Sequence, residues 1–151
     1  MNIEWQLKNF DELNPYELYA ILQLRNEVFV VEQNCVFQDA DDNDQKALHL
    51  MGFDEKKLVA YTRLLPAGTV YKEASIGRVV TSSLVRRSGV GKKLMQQSID
   101  KLYELFGRQP IKIGAQLYLK KFYQSFGFEQ VSDVYLEDGI EHIYMLKTAT
   151  S

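Results

Sequence analysis

With 151 residues the chain has the length of one ordinary domain, and a domain of that size buries roughly two thirds of its unfolded surface. Its 18 lysines and arginines against 20 aspartates and glutamates leave a net charge of −2, which excludes a global attraction to nucleic acid or to a membrane, so any positive site must be local. The lone Cys35 excludes an internal disulfide, and without CxxC or paired Cys/His ligand spacing neither a disulfide scaffold nor a metal is expected.

The opening MNIEWQLKNFDEL has no basic segment followed by an apolar one, and no apolar run approaches the ~20 residues of a membrane span, so a cytoplasmic protein is expected. IEWQLKNF alternates and predicts a first strand. Asn14 as N-cap and Pro15 at the first helical position then start a helix through NPYELYAILQLRNEVFVVEQ, with Leu18, Ile21, Leu22, Arg25 and Val28 on one face. FQDADDNDQK is a polar loop. As a calcium loop it fails, because Asp44 stands at the glycine position and Leu50 at the bidentate glutamate position, which leaves a solvated acidic loop or a lure for a cationic amine. ALHLMGFDEKKLVAYTRLLPAG reads as a hairpin around DEKK, and YKEASIGRVVTSS as the next strand. SGVGKKLMQQSIDKLYELFG is a helix with Val90, Leu94, Met95, Ile99, Leu102 and Phe106 in one stripe, closed by Gly107. PIKIGAQ is a short buried strand, LYLKKFYQSFGF a short helix stopped by Gly127, and the last segment two strands joined at Asp138-Gly139. The order β-α-β-β-β-α-β-α-β-β predicts a three-layer α/β (α+β) architecture, and three scattered prolines with no linker make residues 1–151 a single domain.

The strand-to-helix corner VVTSSLVRRSGVGKK carries the chemistry. A helix start leaves backbone N–H groups unpaired at the positive end of the helix dipole, glycines let a phosphate approach, and Arg86, Arg87, Lys92 and Lys93 add charge. The same residues also suit an ordinary solvated helix start. A nucleotide-hydrolysing P-loop would need glycine in place of Arg86 and Ser or Thr in place of Lys93, and a dinucleotide fingerprint would need a third glycine where Leu94 stands. What remains is R-x-x-G-x-G, realised as Arg86, Gly89 and Gly91.

That loop resembles the acyl-coenzyme A pyrophosphate loop of the GCN5-related N-acetyltransferase (GNAT) superfamily. GAQLYLKKFYQSFGF resembles the family's later helix, with Gln116 where asparagine is usual and Tyr123 at the tyrosine place; with LRNEVFVVEQN and EDGIEHIYM the chain is similar to the ElaA-like branch over nearly its whole length. The resemblance implies a central mixed, mostly antiparallel sheet flanked by helices, and acetyl-CoA as co-substrate with no metal. It implies that Val79, Val80 and Thr81 splay from the neighbouring strand, pair with the pantetheine arm and point one N–H at the thioester oxygen. The backbone amides of Arg87, Ser88, Gly89, Val90, Gly91 and Lys92 would hold the pyrophosphate, and Tyr123 would protonate the leaving thiolate. For the general base the residues leave Glu32, His49, Glu73, Glu137 and His142 open, beside a water relay; Glu32 and His142 lie in the segments most like the ElaA-like branch. The expected partners are acetyl-CoA and an unidentified amine, with no nucleic acid and no membrane, and homodimer formation stays open. The alternative is an acyl-CoA-binding sensor without turnover.

Overall fold

The computed structural model describes residues 2–149. Strand β1 (Glu4–Asn9) leads through a 3-10 turn to α1 (Pro15–Arg25). Asn14 caps that helix: its side chain accepts from the Glu17 N–H at 2.8 Å while the Glu17 carboxylate accepts from the Asn14 N–H at 3.0 Å. The expected helix does not stay regular to its end. After Arg25 it widens into a π-helix, Asn26–Glu32, and Leu22, expected on the apolar face, is exposed.

Strands β2 (Leu48–Asp54), β3 (Lys57–Leu65) and β4 (Ser75–Thr81) complete an antiparallel sheet in the order β1-β2-β3-β4. Every residue of β3 after Lys57 is buried, because α1 covers one face of this sheet and α2 (Val90–Phe106) the other. Ile21, Leu24 and Val28 pack on Met51, Leu58, Tyr61 and Val80. Val90 and Leu94 pack on Leu50, Val59 and Ala60. Each such aliphatic side chain contributes about 1.5–3 kcal/mol when fully buried. Phe106, placed in the apolar stripe of α2 by its spacing, lies in the last turn and is exposed.

The second sheet joins β5 (Ile111–Gln116), β8 (Ile140–Lys147) and the short β6 (Glu129–Gln130) and β7 (Tyr135–Glu137), with α3 (Lys120–Gln124) packed beside it. The last segment thus forms three strands instead of two. The Asp138-Gly139 turn joins β7 to β8 with both residues at positive φ, as a two-residue hairpin requires. Met95, Ile99 and Leu102 of α2 meet Ile113, Ala115, Ile143 and Met145 in the core of this half. The sheet is therefore mixed and mostly antiparallel, but divided. β4 and β5 meet only at one parallel bridge, Ala74 to Ile111, where the Lys112 N–H donates to the Ala74 carbonyl at 2.9 Å. Among the described residues no helix is long and apolar enough to cross a membrane.

Candidate active site

Past the Ala74–Ile111 bridge β4 and β5 make no further ladder, and a cleft of about 370 Å³ lies between them. Gly77 and Val79 of β4 form one wall and Ile113, Gly114 and Gln116 of β5 the other. Tyr123, His142 and Glu137 reach the same cleft from α3, β8 and β7.

Tyr123 is 5 % exposed and packs edge-on against Phe122 and Phe128, with ring centroids 5.2 and 6.1 Å away. Burial, with a smaller contribution from Tyr118, pushes its phenol well above the ordinary tyrosine value, so it stays a proton donor. His142 stands opposite Gln116 across the β5–β8 ladder and stacks on Tyr135 at 5.8 Å. Its Nδ1 lies 2.8 Å from the Ile140 carbonyl, which only accepts, so Nδ1 carries a proton; Nε2 lies 3.5 Å from Glu137 Oε2. The Gln116 amide donates to Gln33 Oε1 at 3.4 Å, tying β5 to the end of the π-helix.

The other expected residues lie on the continuation of β4. Val80 sits in the core beneath α1, and Thr81 ends the strand, its carbonyl accepting from Arg86 Nη2 at 3.3 Å. Buried Val85 and Val90 anchor the two sides of the loop, leaving Arg86, Arg87, Ser88 and Gly89 exposed between them; Ser88 donates to the Val85 carbonyl. Arg87 and Gly89 take positive φ, 63° and 86°, which turns the chain into α2. The first intrahelical bond runs from the Lys93 N–H to the Gly89 carbonyl, so the N–H groups of Val90, Gly91 and Lys92 have no intrahelical acceptor. A Cβ built on Gly89 or Gly91 meets no atom within 4 Å, so the space above the loop is open. An anionic group fits there, against free N–H groups, the helix dipole and nearby cations.

Glu32 does not line the cleft: its carboxylate forms a two-pronged pair with Arg86 at the loop. His49 is fully buried elsewhere. Its Nε2 donates to the Asp44 carbonyl at 2.9 Å and its Nδ1 accepts from the Tyr61 hydroxyl at 2.6 Å. Glu73 precedes β4 and is not part of the cleft wall. Cys35 does line the cleft, its thiol donating to the Asp138 carbonyl at 3.1 Å. So do Asp41 and Arg78, which the motif pattern did not single out. The acidic loop is only partly solvated: Asp42 is exposed, whereas Asp39, Asp41 and Asp44 are paired with Arg25, Arg63 and Arg78. Among the described residues no group of three His, Cys, Asp or Glu side chains could hold a metal ion.

Residues 17–149 match the family described as an acetyltransferase (GNAT) domain. Protein ElaA of Escherichia coli is 44 % identical over 147 residues, covering 96 % of each chain. The crystal structure of Escherichia coli ElaA superposes with a TM-score of 0.91 at 43 % identity, covering 97 % of this chain and 99 % of that one. An acyl-CoA N-acyltransferase from Pseudomonas aeruginosa superposes equally well, with a TM-score of 0.91 at 41 % identity over 96 % of this chain and 99 % of that one. A motif-bearing loop at a helix start, a divided sheet and these two full-length likenesses agree, and the chain belongs to the GNAT acetyltransferases, enzymes that draw an acyl group from acyl-CoA.

Proposed function

We propose that the protein is a cytoplasmic N-acetyltransferase that moves an acetyl group from acetyl-CoA to the primary amine of a small molecule or peptide. The observation that carries this reading is the meeting of Tyr123 and His142 in the cleft where β4 and β5 diverge. Acyl transfer from a thioester to an amine needs three things: a polarised carbonyl, a deprotonated amine and a protonated leaving thiolate. The diverging strand at Val79 offers backbone groups to the pantetheine arm and the thioester oxygen, and the loop from Arg87 to Lys92 offers N–H groups to the pyrophosphate. His142 suits the base, since with Nδ1 engaged by the Ile140 carbonyl the neutral ring presents Nε2 to the amine proton, and Glu137 faces the imidazolium that results. Tyr123 suits the acid. The amine attacks the carbonyl carbon, the C–S bond breaks, and the departing sulfur takes the phenol's proton.

The test is incubation with acetyl-CoA and a broad panel of primary amines while free thiol is followed. Release of coenzyme A that depends on one class of amine is the expected result. Release with no amine dependence would point to thioester hydrolysis, and binding of acetyl-CoA with no release at all to a sensor.

A further inference from the structure

Six charged side chains form a closed ring beside the cleft. Arg25, fully buried at the end of α1, pairs with Asp39 through Nε at 2.7 Å and with Asp44 through Nη1 at 2.8 Å. Arg63 of β3 pairs with Asp44 at 2.9 Å and with both oxygens of Asp41, at 2.7 and 2.5 Å. Arg78 of β4 closes the ring, reaching Asp41 at 3.3 Å and Asp39 at 2.8 Å, and donating to the Asp39 carbonyl at 2.9 Å. Each aspartate thus bridges two arginines, and three guanidinium groups balance three carboxylates. A buried ion network is tolerated only when so matched, and removing one member leaves charge without a partner.

Arg78 also holds a backbone conformation that its side chain does not favour. Its φ is 50°, left-handed, in the middle of a strand. At this point the β3–β4 register shifts: Val80 stands opposite Tyr61 and Gly77 opposite Arg63, so Arg78 and Val79 together face Thr62. Such a bulge re-aims the strand, and a strained φ persists only where the surroundings over-determine it. The strained residue, its neighbours Gly77 and Val79, and Asp41 of the ring all line the cleft.

We propose that the ring of Arg25, Asp44, Arg63, Asp41, Arg78 and Asp39 is a charge lock that holds the β4 bulge, and that Arg78 is through it a positioning residue for acyl transfer. The lock sets the cleft wall at Gly77 to Val79, against which the proposed function lays the thioester, and the inference rests on that reading. It assigns the acidic loop to geometry and not to substrate charge.

Two substitutions separate the backbone from the side chain. Arg78→Ala removes the ion pairs and leaves a residue that resists positive φ, whereas Arg78→Gly removes the same pairs and accepts it. With acetyl-CoA and the amine panel, Arg78→Ala should lose roughly 10-fold to 100-fold in kcat while coenzyme A affinity, which the proposed function draws mainly from the α2 loop and only in part from the strand at Val79, stays within about threefold. Arg78→Gly should recover part of that loss, and Asp39→Asn should lower kcat in the native background but add little to Arg78→Gly. Native kcat in Arg78→Ala, equal losses in the Ala and Gly variants, or coenzyme A affinity falling in step with kcat would each overturn the lock. If Arg78→Ala does not fold, Arg78→Lys takes its place: one ammonium cannot span both aspartates, and the same split between kcat and affinity is required. If the native protein releases no thiol with any amine, the proposed function fails and amide hydrogen exchange still decides the lock. Val79 and Val80 must then exchange faster in Arg78→Ala than in the native protein; unchanged exchange overturns it.

Discussion

Tyr123 and His142 reach one cleft from elements that are distant in sequence, and each meets a different force bearing on its proposed role. Burial prepares Tyr123, keeping its phenol protonated to higher pH than usual. A backbone carbonyl orients the His142 ring by engaging Nδ1. Tyr123→Phe removes one hydroxyl and keeps the ring against Phe122 and Phe128, so coenzyme A should bind normally while the chemical step slows by roughly 10²–10⁴-fold, the usual size of proton-transfer assistance. Single-turnover thiol release checks this, and a native rate would send the search for the acid to water. His142→Gln should lose activity in a way that alkali repairs. Without a base, only acceptor already in the free-amine form reacts, and for an amine of pKa about 10.4 that fraction grows about tenfold per pH unit between roughly 7 and 9. A pH–rate profile of the variant parallel to the native one would remove His142 from the proton path.

The two glycines of the corner loop look equivalent as a motif but differ in backbone: Gly89 takes a positive φ and Gly91 does not. Gly89 needs its left-handed φ of 86°, so Gly89→Val should cost about 1–3 kcal/mol of stability as well as coenzyme A affinity. Gly91 has no such constraint and open space around it, so Gly91→Val at an exposed helix start should cost under ~1 kcal/mol while still blocking the ligand's approach. Urea unfolding beside calorimetry with coenzyme A separates the two effects; full affinity in Gly91→Val would take the loop out of the site. Both glycines were legible because helix starts, caps and tight turns are written in a few neighbouring residues, as with the Asn14-Pro15 start, the α2 stripe and the Asp138-Gly139 hairpin. The division of the sheet was legible only through the family resemblance, since one bridge between Ala74 and Ile111 joins segments far apart in the chain. The ion ring left one trace that went unused: Arg25 falls on the apolar face of α1, and a buried guanidinium demands a buried carboxylate. Which aspartates answer it depends on how a loop folds back over β3 and β4, and no local period records that.

At the scale of the molecule, the ring and His49 make acid the expected denaturant, in two separable stages. Burial alone would raise the carboxyls of Asp41 and Asp44, but the hydrogen bonds and charges of Arg63 and Arg25 outweigh it and hold both below the ordinary carboxylate range. A carboxyl depressed in the folded state contributes stability that is fully present well above the unfolded value of about 3.9 and is lost as pH falls through that value toward the folded one. His49 works from the other side with the same sign. Burial, with the charges of Arg25 and Arg63, lowers its affinity for a proton against the pull of Asp44, so the folded state resists protonation while the unfolded chain accepts it near pH 6.5. Its contribution is therefore lost as pH falls below about 6.5, before the carboxylates begin to titrate, with a slope of at most about 1.4 kcal/mol per pH unit. Urea unfolding from about pH 8 to about pH 3 should show a shallow decline below about 6.5 and a steeper one below about 4.5. His49→Gln should flatten the first segment and keep the second. Arg25→Met should cost about 3–5 kcal/mol at neutral pH, because Asp39 and Asp44 each lose one of their two arginine partners, and the gap to the native protein should narrow in acid as the Asp44 carboxylate protonates. A gap that stays constant down to pH 3 would mean that Arg25 stabilises the fold by packing and that the ring carries no net charge coupling.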